Sequence, residues 1–182
     1  LLGIWPFEQP DEAALAQLRE RVAAYMLKAG REAKVHSSWI NPNSEYEAAT
    51  QDFVRALLSS QPTNLFLPDF VPFQQKIARR GAYNSLSQVL LKLTSPGVPD
   101  IYQGNEMWDF SLVDPDNRHT VDYAARYAAL RTIKTMYAEK GAAACAQHLI
   151  ESPGDGRIKL YLTWRALTFR HECELLFRDG GY

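Results

Sequence analysis

A 182-residue chain with formal net charge −1 and 46% hydrophobic residues suits a soluble globular fold with a real core. Near-neutral charge gives no bulk attraction to nucleic acid or an acidic membrane surface, so neither is an expected partner. No apolar run approaches the roughly 20 residues of a membrane span.

The chain opens on Leu1-Leu-Gly-Ile-Trp-Pro6, without an initiator Met or the pattern of a signal peptide, and closes on a Gly-Gly turn. Both ends read as cut from something longer. Asp11 is the natural N-cap of a first helix, with Leu15, Leu18, Val22, Tyr25 and Ala29 on one face. Gly30 marks a kink or a C-terminal turn there. Lys34 to Asn43 gathers polar groups around Trp39 and ends in an Asn-Pro-Asn turn. Asn43 then caps a helix over about 44–59, whose buried side is expected to carry Tyr46, Ala49, Phe53 and Leu57.

A third helix is predicted from Leu67, with Phe70, Phe73, Ile77 and Gln74 inward and Gly81 as its end. A fourth over about 82–94 (Tyr83, Leu86, Val89, Leu90, Leu93) has a broad apolar face and should pack deeply. Pro96 and Pro99 force extended backbone, which makes about 100–102 the one convincing strand. A polar loop with Glu106, Asp109, Asp114, Asp116, Asn117 and Arg118 follows, with Trp108 and Phe110 among them. A long helix from 120–122 to about 139 comes next, then a shorter one at about 142–150, a Ser-Pro-Gly-Asp-Gly loop, and a last helix over about 157–171. The chain is therefore mainly α with one short strand, and a lone strand implies a sheet completed elsewhere.

Cys145 and Cys173 lack CxxC or metal-ligand spacing and read as small apolar residues of a reducing, cytoplasmic compartment. The four histidines are isolated, and HExxH, GxSxG and P-loop patterns are missing, so no metal and no cofactor is expected. That leaves the carboxylates. Glycoside chemistry uses two of them across the scissile bond, and a strand followed by an acidic loop and a helix is how a (β/α) barrel presents functional groups. The same residues can equally serve to hold the loop in shape, Arg118 against Asp114 for instance.

Pro99-Asp-Ile-Tyr-Gln-Gly-Asn-Glu106 resembles the last barrel strand of the alpha-amylase family of glycoside hydrolases. The longer string from Ser95 to Arg118 is similar to its maltooligosyltrehalose synthase branch. Lys28-Ala-Gly-Arg-Glu-Ala-Lys-Val-His-Ser-Ser-Trp39 with Asn41-Pro-Asn-Ser-Glu-Tyr46, Asn84 to Thr94, and Leu160-Tyr-Leu-Thr-Trp-Arg165 carry the resemblance across the chain. It departs at His119-Thr120, where Arg-Pro is expected, and at Gly30.

The resemblance implies a helical C-terminal fragment of a (β/α)8 barrel, with 1–182 as one stretch of a larger catalytic domain. That stretch would supply the last helices, the last strand and its loop. The parent activity would convert the reducing-end α-1,4 bond of a maltooligosaccharide into an α,α-1,1 bond by intramolecular transfer. The catalytic acids would lie on earlier strands, so no catalytic residue is assigned and the chain alone should be inactive. Substrate-cleft residues carried over are Tyr102, Gln103, Glu106, Asp109, Asp114, Asn117 and Arg118, with Lys34, His36, Trp39 and Asn41 from the earlier loop. Helix faces that should meet the missing sheet would stay exposed and favour self-association. The competing reading is a free-standing helical module that binds carbohydrate or protein.

Overall fold

A computed structural model describes residues 1–181. Six α-helices follow one another: α1 (Glu12–Ala33), α2 (Ser44–Leu57), α3 (Phe66–Thr94), α4 (Tyr123–Glu151), α5 (Arg157–Glu172) and α6 (Glu174–Asp179). Single 3-10 turns sit at Asp116–Arg118 and Pro153–Asp155. The mainly helical class is as the patterning indicates, and the described residues contain no strand. The expected strand at 100–102 does not form, because strand backbone needs a ladder partner and no described segment supplies one.

The chain forms two compact units. The first takes Leu1–Ala78 and Phe110–His119; the second takes Arg79–Asp109 and everything from Thr120 on. The boundary falls within α3.

In the first unit, α1 buries Leu15, Leu18, Val22 and Ala23. These pack with Ile4, Trp5, Val54, Leu58 and Phe70. Trp5 meets Phe70 edge-on at 5.1 Å. Each fully buried aliphatic side chain there contributes about 1.5–3 kcal/mol. Asp11 caps α1 as anticipated, accepting from the Ala14 N–H at 2.8 Å. Gly30 does not end the helix: α1 runs to Ala33 and stops at Lys34, whose φ of 56° is left-handed. Asn43 caps α2 at the Tyr46 N–H.

The buried face of α2 is not the one expected. Val54 and Leu58 point into the core, while Phe53 is 66% exposed and Tyr46 is also exposed. One residue is about 100° of helix rotation, so a neighbouring i, i+4 pair displaced the predicted stripe. Asn64 then joins two helices. Its amide donates to the Leu57 and Ser59 carbonyls, and its Oδ1 accepts from the Phe66 N–H.

The third and fourth predicted helices are one helix, α3, with Gly81 inside it and Pro72 near its start. A helical glycine costs up to about 1 kcal/mol relative to alanine, too little to stop a helix anchored at both ends. Of its predicted inward residues, Phe70 and Gln74 are buried, while Phe73 and Ile77 are exposed. Further along, Leu93 is buried, but Tyr83, Leu90 and Leu91 are exposed, so the deep packing expected of this stretch is not realised.

The second unit is built around α5, which buries Ile158, Lys159, Leu160, Tyr161, Thr163 and Ala166. Ile133, Cys145 and Leu149 of α4 complete its core. Tyr137, Tyr161 and Trp164 form a ring cluster with centroids 5.4 to 6.4 Å apart. Gly141, at φ 79° and ψ 172°, divides α4 into the long and short segments read from the sequence. Cys145 is buried and Cys173 half-buried, both as free thiols. Burial pushes the Cys145 thiol pKa up, which makes it a poor nucleophile.

Candidate functional site

The carboxylate-rich loop is shared between the units. Tyr102, Gln103, Glu106 and Asp109 belong to the second; Asp114, Asn117 and Arg118 belong to the first, with Lys34, His36, Trp39 and Asn41.

In the second unit the loop turns at Gly104, where φ is +88°. Arg126 of α4 donates to the Gly104 carbonyl at 3.0 Å and to a Glu106 carboxylate oxygen at 3.2 Å. One guanidinium thus fixes both the turn and the acid that follows it. Lys159, only 6% exposed, rises from α5 beneath the loop. Its ammonium donates to the Met107 carbonyl at 3.2 Å and lies 5.6 Å from the centre of the Trp108 ring. The Trp108 indole N–H donates to the Pro153 carbonyl.

Gly156, just before α5, makes this docking possible. Its φ is +75°, and a Cβ there would lie 2.9 Å from the Trp108 backbone nitrogen. The second unit also holds a polar cavity of about 350 Å³ whose lining includes Gln88, Lys92, Asn105, Glu106, Asp109 and Lys159. Burial pushes the Lys159 pKa down and nearby Lys92 adds to this, while Asp109 and Glu106 pull it back up. Glu106 and Asp109, both named from sequence, are therefore brought together. Tyr102 and Gln103 are exposed and line neither this cavity nor the one below.

In the first unit Asp116 organises the loop. Arg21 of α1 grips its two oxygens at 2.9 and 2.8 Å, and the Leu112 N–H donates to it at 2.6 Å. Arg21 is the main cause of the lowered Asp116 pKa. The same guanidinium donates to the Phe110 carbonyl at 2.7 Å. Asp114 is ion-paired with Arg118, and Lys28 donates to the Asp114 carbonyl. The Arg118–Asp114 contact considered from sequence is present, between two largely exposed side chains. Asn117 has its Oδ1 buried without a partner among the described residues.

The earlier loop is tied by Arg31, which binds Glu47 through two bonds of 2.8 and 2.7 Å, with the Ser37 hydroxyl donating to the same acid. These bonds, Arg31's first, lower the Glu47 pKa to about 2. Arg31 also lies 4.9 Å from the Trp39 ring centre. His36 packs on Tyr46, Lys34 ends α1, and Asn41 forms a turn with Ser38. A cavity of about 550 Å³ opens here, its lining including Tyr25, Lys28, Trp39, Gln51 and Asp114. Trp39 and Asp114 thus line one cavity, whereas Lys34, His36, Asn41, Asn117 and Arg118 lie outside it.

Sequence reading missed Arg126, Lys92, Gln88 and above all Lys159. The signal for Lys159 was present: it stands alone among Ile158, Leu160 and Tyr161, where a charge needs a reason. Among the described residues no helix is long and apolar enough to cross a membrane, and no cluster of acids, histidines and cysteines could hold a metal ion.

A mainly helical chain with a polar cavity in its second unit is the class these features define. No protein-family model matches the chain. Over 134 residues it is 42% identical to a Mycobacterium tuberculosis protein described as a maltooligosyl trehalose synthase; the match takes in 74% of this chain and 17% of that protein. A crystal structure of maltooligosyl trehalose synthase superposes with a TM-score of 0.79 at 36% identity, covering 96% of this chain and 22% of the other. The Arthrobacter ramosus maltooligosyltrehalose synthase gives 0.71 at 33% identity, over 87% and 19%. The chain belongs to the maltooligosyltrehalose synthase family and corresponds to about a fifth of the length of those proteins.

Proposed function

We propose that the chain is one stretch of a larger catalytic domain, contributing a wall of the cleft in which a maltooligosaccharide is rearranged. The reaction of the whole enzyme would be intramolecular glucosyl transfer, moving the reducing-end α-1,4 linkage to α,α-1,1. The catalytic acids would reside outside this chain, in a cytoplasmic enzyme without a cofactor. The observation that carries the reading is the 42% identity sustained over 134 residues with proteins of this kind.

The second-unit cavity supports it chemically. Two ammonium groups, two carboxylates and two side-chain amides in one polar space offer many hydrogen-bond donors and acceptors. That suits a polyhydroxylated ligand. In the first unit, Trp39 and Tyr25 offer apolar ring faces of the kind that pack on a pyranose. The proposed sugar contacts are therefore Glu106 and Asp109 on one cavity and Trp39 and Asp114 on the other.

The test is to incubate the chain with maltopentaose while following reducing ends and binding. Saturable binding with no loss of reducing ends is the expected result. Robust formation of a non-reducing product by the chain alone would refute the assignment of the catalytic acids elsewhere.

A further inference from the structure

The least explained charge in the molecule is Lys159. Lysine is rarely buried unless it is paired, because desolvating an ammonium is costly. At 6% exposure this one has a single hydrogen bond among the described residues, to the Met107 carbonyl at 3.2 Å. An ammonium carries three donors, so two N–H groups are left over beside a cavity of about 350 Å³ that the side chain helps to line. The acids sharing that cavity do not absorb them: Glu106 is held by Arg126 at 3.2 Å. Asp109 acts on Lys159 through space.

The placement is deliberate in physical terms. Ile158, Leu160 and Tyr161 around it are core residues, so α5 is rigid at this point. Trp108 covers one side of the ammonium, and Gly156 permits the close docking that brings Trp108 there. Thr163, one turn further along α5 and itself 8% exposed, adds a hydroxyl to the same lining. A rigid helix thus presents a partly unsatisfied cation and a hydroxyl to a space that also holds Asn105, Glu106 and Asp109.

We infer that Lys159 is a ligand-binding residue of this cavity, donating its free N–H groups to sugar hydroxyls, with Thr163 as its partner on α5. The inference rests on the carbohydrate reading above and adds to it two side chains of α5 that were not among the cleft residues named from sequence.

The experiment titrates the 182-residue chain with maltopentaose, following the tryptophan indole N–H signals by NMR. In the wild type, the Trp108 signal should shift saturably while that of Trp5, in the first unit, stays in place. Lys159→Met keeps the apolar stem and removes the donors; its affinity should fall about tenfold or more, as for loss of a charge-assisted hydrogen bond. Thr163→Val should weaken binding by a few-fold.

A wild type that binds, with Lys159→Met binding equally well, would overturn the inference and leave the carbohydrate reading standing. A wild type that does not bind at all would overturn both. A Trp108 shift produced by inorganic phosphate instead of the sugar would make the cavity an anion site and overturn the inference. Should Lys159→Met lose the native near-UV dichroism, Lys159→Arg replaces it. There the planar guanidinium moves the donors without removing charge, and unchanged affinity would again overturn the assignment.

Discussion

Gly156→Ala is the sharpest test of how the second unit is assembled. The residue holds φ at +75°, where an L side chain costs about 1–2 kcal/mol. Its new methyl would stand 2.9 Å from the Trp108 backbone nitrogen, 3.1 Å from the Met107 Cβ and 3.3 Å from the Trp108 ring. The first contact is with main chain, so no rotamer change relieves it. The loop must lift away, and overpacking of that sort costs about 1–3 kcal/mol.

The combined destabilisation is about 2–5 kcal/mol, a lowering of the urea midpoint by about 1–2 M at the slopes usual for small proteins. Peptide-resolved hydrogen exchange across the urea series would read the second unit separately from the first. Because Lys159 and Trp108 meet at the same docking surface, α5 and residues 105–109 should lose protection together. A variant within about 0.5 kcal/mol of wild type would refute the reasoning, for it would mean that Trp108 does not rest on Gly156.

The opposite sign is expected at Gly81, which sits inside α3 with open space around its Cβ position; Gly81→Ala should raise stability by about 0.5–1 kcal/mol in urea melts, and destabilisation would mean the helix is not continuous there. Glu47 supplies the pH test. Its folded pKa of about 2 lies below the ordinary 4.5, so the stability it lends is complete above pH 4.5 and drains away as pH falls toward 2. The gap in thermal midpoint between wild type and Glu47→Gln should be widest at neutral pH and close near pH 2; a gap independent of pH would disprove the Arg31 pairing. Lastly, Tyr83, Leu90 and Leu91 of α3 and Tyr123 and Tyr127 of α4 are exposed apolar side chains. Light scattering should show a mass that grows with concentration and falls in a Leu90→Lys, Leu91→Glu variant, whereas a strict monomer throughout would contradict association through these faces.

Sequence alone settled what depends on near neighbours along the chain. Asp11 and Asn43 cap the helices they were assigned, since a cap is a bond over three residues. The break expected between about 139 and 142 is present, at Gly141. The family was legible in the run from Ser95 to Arg118.

Tertiary structure decided everything that needs a partner from afar. Which face of α2 is buried was fixed by α1, and so Val54 rather than Phe53 entered the core. Residues 100–102 failed to become a strand for want of a neighbour, while Gly81 passed unnoticed through a helix anchored elsewhere. Lys159 lies more than fifty residues from the loop it underpins, and periodicity carries no information over such a separation. Hydrogen bonds and burial act through space, and only the folded chain brings that ammonium to Met107 and Trp108.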